Sequence, residues 1–130
     1  MGKLSSRREP RAARADTGTT HPIVASVRAD LAANDAAAGT RGACLRIAQL
    51  ASELDGLQDV SAAVFAEESG LALVLHRGQT RRQLTFEIAP DNRHAQVIAI
   101  DEHMRRTARS IDLSDADPVR ESLEWLIQPT

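Results

Sequence analysis

The sequence predicts an α+β domain: two N-terminal helices, a four- to five-stranded antiparallel meander and a C-terminal helix. Three observations carry this. From Leu71 to Ile100 apolar and polar residues alternate with a period of two, interrupted twice by turn residues. Before that run, apolar residues recur every three or four positions, in Ile23, Val27 and Leu31 and again in Ala43, Ile47, Leu50 and Leu54. After it, Ser114-Asp115-Ala116-Asp117-Pro118 sets capping residues and a proline ahead of the stripe Val119, Leu123 and Leu126.

Within the meander, Leu71, Leu73 and Leu75 share one face of a strand, and Leu84, Phe86 and Ile88 one face of the next. Gly78-Gln79 fits a two-residue type II′ loop, which needs φ > 0 at its first position. That loop pairs Leu73 with Leu84 and Leu71 with Phe86. Ala89-Pro90-Asp91-Asn92 reads as a three-residue loop with a bulge, asparagine taking the left-handed position. Such a loop sets Ile98 opposite Leu84 and Ile100 opposite Arg82. The isoleucines then join the leucine face, and a one-residue slip would replace them by Val97 and Ala99.

The first helix is capped by Thr20 or His21, with Pro22 in its first turn, where the missing N–H costs nothing. It fades between Asn34 and Gly39, and a second helix capped by Thr40 runs to Gly56. Val60 to Ala66 is a strand, apolar on both sides. A three-residue turn with Gly70 left-handed would send its Phe65 to the leucine face and leave Val60, Ala62 and Val64 on the other. A fifth strand spans Thr107 to Leu113, its arginines marking an edge. The last helix has Asp117 as cap and Pro118 at its first position, and Trp125 projects about 100° or more from its apolar stripe.

The chain has 130 residues, enough for one domain with its own core. Residues 1–20 carry a net charge of +3 without apolar periodicity and read as a disordered basic tail, leaving 21–130 as the single domain, with net charge −5. Ser6-Arg7-Arg8 is followed by Glu9-Pro10 where a twin-arginine signal needs an apolar core. Met1-Gly2-Lys3-Leu4-Ser5-Ser6 matches the N-myristoylation pattern, a short motif that arises often by chance. Lysine occurs only at Lys3 and alanine is abundant, a bias that fits high-GC, bacterial coding. One cysteine excludes an intrachain disulfide and is compatible with the cytoplasm, and no stretch approaches the ~20 apolar residues of a membrane span.

Nothing in the chain names a reaction. Cys44 lies in the first turns of the second helix near Arg41 and Arg46, where helix terminus and cations lower a thiol pKa. The simpler reading is a small buried residue among alanines. His21, His76, His94 and His103 lack zinc-motif spacing, and the cluster Asp101-Glu102-His103 reads as a solvated turn. Arg77, Arg81 and Arg82 at one chain reversal, with Arg105, Arg106 and Arg109 at another, offer phosphate contacts. Against a nucleic-acid partner stand the acidic domain and the scarcity of aromatics, which are Phe65, Phe86 and Trp125 only. No catalytic residue, metal ligand or cofactor is assigned.

The reading that remains is a small non-catalytic interaction or regulatory protein that binds a protein partner or a second copy. A nucleic-acid module using the arginine hairpins is the alternative, and an enzyme using Cys44 or a histidine comes third. In the expected registers Val64, Val74, Thr85, Val97 and Ala99 gather on the face opposite the leucines, where either an N-terminal helix covers them or, with all helices on the leucine face, they form the binding or homodimer surface with Trp125 as a rim anchor.

Overall fold

A computed structural model describes residues 21–33, 38–54, 59–67 and 70–128. The basic tail, the lipidation pattern and the turn at Glu68-Ser69 lie outside the described residues. Two helices, α1 (Pro22–Ala33) and α2 (Ala38–Ser52), precede the strands β1 (Val60–Glu67), β2 (Gly70–Arg77), β3 (Arg82–Ile88), β4 (His94–Ile100) and β5 (Arg106–Asp112). Helix α3 (Ala116–Ile127) follows. The strands form one antiparallel sheet in sequence order, the expected meander.

Local chemistry sets the helix ends. His21 Nδ1 accepts from the Ile23 N–H at 3.1 Å, so His21 caps α1 and Pro22 stands at its first position. Helix α2 starts at Ala38, ahead of the expected cap at Thr40. In α3 the cap is Asp115 rather than Asp117: its carboxylate accepts from the Asp117 N–H at 3.0 Å, and Pro118 sits one position beyond Asp117. Proline is tolerated there because N–H groups of the first turn have no partner within the helix.

One face of the sheet is the core. Residues paired across the strands share a face, which gives the rows Val64–Leu73–Phe86–Val97 and Ala62–Leu75–Leu84–Ala99. Ile23, Val27, Leu31, Ile47, Leu123 and Leu126 of the three helices belong to the same buried cluster. Burial at about 25 cal/mol per Å² of apolar surface makes this contact the main source of stability. Helix α1 also flanks the β1 edge, where Asp30 Oδ2 accepts from the Val64 N–H at 2.8 Å.

Three registers differ from those the sequence predicts. The β2–β3 loop has four residues, Gly78–Arg81, because Arg77 pairs with Arg82. Its left-handed residue is Arg81 (φ 63°), not Gly78. Leu75 therefore faces Leu84 and Leu73 faces Phe86, a shift of two positions that leaves every side chain on its expected face. The β3–β4 turn is closed by the Ala89 N–H on the His94 carbonyl at 2.9 Å, with four residues between them and Asn92 left-handed at φ 61°. This even turn causes the one-residue slip. Val97 pairs with Phe86 and Ala99 with Leu84, so they join the core, and Ile98 and Ile100 turn away from it.

The third correction concerns β1. Val64 faces Leu73 on the core side at 4% exposure, and Phe65 stands on the opposite face at 56%. Gly70 does take a positive φ, +136°, and a Cβ there would run into the Ile88 carbonyl oxygen, so only glycine fits this approach of β2 to β3.

Phe86 is fully buried at the centre of the middle strand, whereas Thr85 faces the other way. Phe86→Ala is expected to cost about 3–5 kcal/mol in urea unfolding and Thr85→Ala below about 1 kcal/mol. Equal losses would mean that the faces of β3 are assigned wrongly.

Candidate functional site

The groups singled out for chemistry are mostly occupied in structural work. Cys44 is fully buried, several residues from the α2 N-terminus, and burial pushes its thiol up to about 12. It is protonated near neutral pH and shielded from reagents. Arg41, one of its expected activators, donates to the Leu31 carbonyl at 2.8 Å. No three metal-ligating side chains cluster among the described residues. His94 Nδ1 lies 2.6 Å from Asp91 Oδ2. Asp101 accepts from the backbone N–H groups of His103 and Arg105 at 2.9 Å each, so that segment is a self-satisfied turn.

The hairpin arginines are not a phosphate site of three. Arg77 turns to the core side and reaches Asp59 at 3.4 Å and the Gln128 carbonyl at 3.4 Å. Arg82 is 9% exposed, the most buried charged residue among those described. Its Nη1 donates to the Trp125 carbonyl at 2.7 Å, its Nη2 lies 3.4 Å from Glu102, and its guanidinium stacks 5.1 Å from the Trp125 ring centroid. A cation on the last carbonyls of α3 opposes the helix dipole and fastens that helix to the sheet. Only Arg81 of the three remains exposed.

Beside this clamp, α3 leaves a groove over β4 and β5. Leu84, Val97 and Ala99 floor it, Thr107 and Arg109 form one wall, and Ser122 and Trp125 the other, around about 230 Å³. Trp125, expected at a rim, is half-buried in that wall. Arg109 leans across the groove, donating to Ser122 Oγ at 3.0 Å and to the Pro118 carbonyl at 3.3 Å.

The second feature is the sheet face away from the helices. The expected patch of Val64, Val74, Thr85, Val97 and Ala99 does not assemble there, since Val64 and Val97 are core and Ala99 is on the core side. Val74 and Thr85 remain, and the observed row is Ala63–Val74–Thr85–Ile98–Ala108. Ile100 flanks it on one side and Phe65 on the other. Phe65, Ile98 and Ile100 were missed in the sequence because β1 and β4 are apolar on both sides.

No helix among the described residues is long and apolar enough to cross a membrane. The chain matches no protein-family model, no curated protein and no solved structure at a significant level.

Arg82→Met keeps an aliphatic stem while removing the charge-assisted bonds to Trp125 and Glu102. It is expected to lower stability by about 1.5–3 kcal/mol in urea unfolding and to alter the emission of Trp125, the only tryptophan. Unchanged stability and emission would remove Arg82 from this role.

Proposed function

We propose that the chain is a non-catalytic protein-interaction module that associates with a second copy of itself through the open face of the sheet. The observation that supports this is the row Ala63–Val74–Thr85–Ile98–Ala108, uncovered by any described helix, with Phe65 56% exposed beside it. Contiguous apolar patches rarely stay bare on soluble domains. Sheets pack face to face about 10 Å apart with strands aligned within about 30°.

The row also favours a copy of itself as the occupant. It is small at both ends, Ala63 and Ala108, with Val74, Thr85 and Ile98 between them. A two-fold axis along the row lays each residue on its counterpart, the isologous arrangement of a closed dimer. The same axis sets Glu87 opposite Gln83 of the second copy, because these residues flank Thr85 on either side in β3. Like charges are thereby kept apart, whereas an axis along β3 would bring two Glu87 carboxylates together.

Nucleic-acid binding is less well supported. Two of its three hairpin arginines are bound to the chain's own oxygens. Catalysis at Cys44 has no support from a thiol this buried.

Sedimentation equilibrium up to about 0.1 mM tests the proposal. The wild type is expected to show a concentration-dependent dimer, and Val74→Glu a folded monomer with unchanged far-UV circular dichroism. A wild type that stays monomeric, or a Val74→Glu variant that dimerises as well, overturns it. Unfolding of Val74→Glu does so too, since that would make Val74 interior.

A further inference from the structure

The two edges of the sheet are treated differently. At β1, helix α1 lies alongside and Asp30 takes the Val64 N–H. At β5, no described strand pairs with the outer side, and residues 106–110 are all exposed. An open edge offers unpaired N–H and C=O groups to any extended chain. Its unpaired charge is Arg106, which makes no ion pair among the described residues, whereas Arg105 is tied to Asp101 at 2.8 Å and Arg109 leans on α3, 3.9 Å from Glu121. Two such edges repel each other, which discourages edge pairing between copies, and an acidic segment removes that repulsion.

The groove beside Trp125 adjoins this edge on the helix side of the sheet. At about 230 Å³ it is smaller than the ~300–1,000 Å³ of small-molecule pockets, and its floor is apolar. A large aliphatic or aromatic side chain is the better match. A strand added to β5 sends alternate side chains to opposite faces. Those on the helix side meet the outer side of Thr107 and Arg109, and a large one enters the groove by reaching over Thr107, whereas those on the other side meet Arg106 and Ala108.

We infer that the β5 edge and the Trp125 groove together receive an extended segment of a partner protein, with one large apolar side chain in the groove and acidic residues at alternate positions facing Arg106. This goes beyond self-association: the groove lies on the face opposite the row Val74–Thr85–Ile98, whereas Arg106 stands beside the Ala108 end of that row.

The only tryptophan lines the groove, so its fluorescence reports binding without a label. The probe is a blocked seven-residue peptide alternating leucine and glutamate, compared with an otherwise identical peptide carrying lysine for glutamate. The glutamate peptide is expected to change Trp125 emission saturably and to shift the amide resonances of residues 106–112, with the lysine peptide about tenfold weaker. Arg106→Glu is expected to reverse that preference. Thr107→Phe, which fills the groove from an exposed position, is expected to weaken binding about tenfold, and Val74→Glu to leave it unchanged. No response up to about 1 mM, equal binding of both peptides, or insensitivity to both Arg106→Glu and Thr107→Phe overturns the inference. So does a single-stranded oligonucleotide that competes at the same residues, since that would assign the edge to phosphate.

Discussion

The parity of one turn decides which side of the sheet each residue of β4 occupies. Asp91 holds that turn: its carboxylate accepts from the backbone N–H groups of Arg93 and His94 at 2.9 Å each and meets His94 Nδ1 at 2.6 Å. The bond from the His94 ring, then those from the two N–H groups, keep the Asp91 carboxyl well below its ordinary 3.8. A value lower folded than unfolded stabilises the fold fully above about pH 4, and this contribution is lost as pH falls through the folded value. Within the turn Asn92 takes the left-handed conformation, leaving an even count of residues between Ala89 and His94.

Both candidate surfaces follow from that parity. With Val97 and Ala99 turned inward, they join Leu84 as the floor of the groove beside α3. The two isoleucines are placed instead on the outer face, Ile98 in the row with Val74 and Ile100 in a flanking row, with Phe65 in the flanking row on the other side. Arg82 fixes the end of α3, and with it Trp125 of the groove's wall, over the sheet. A single-residue change of register would exchange Val97 and Ala99 with Ile98 and Ile100 between the groove floor and the outer face.

The parts of the fold that were legible in the sequence are those where only one face is apolar. Leu71, Leu73 and Leu75, with Leu84, Phe86 and Ile88, keep their faces even though the loop between them is longer than glycine suggested, because a shift of two preserves side. Strand β4 was not legible in this way. Ala95, Val97 and Ala99 alternate with Ile98 and Ile100, so periodicity cannot choose between the sets, and side-chain volume favoured the wrong one. Phe65 was misplaced for the same reason. The angle of Trp125 on α3 is legible in the sequence, but its clamp is not, since Arg82 lies 43 positions away in the chain and sequence does not show which arginines turn inward. The groove becomes visible only once the register is known.

The central claim is the side of the sheet taken by Val97 and Ile98, and thiol labelling tests it most directly. Cys44 is buried and does not compete under native conditions. With dilute protein, kept below any self-association, Ile98→Cys is expected to react with a maleimide at a rate close to that of a free thiol. Val97→Cys, in the core row with Phe86, is expected to react only as the protein unfolds. Rapid labelling of Val97→Cys with protection of Ile98→Cys would contradict the register, and with it both surfaces.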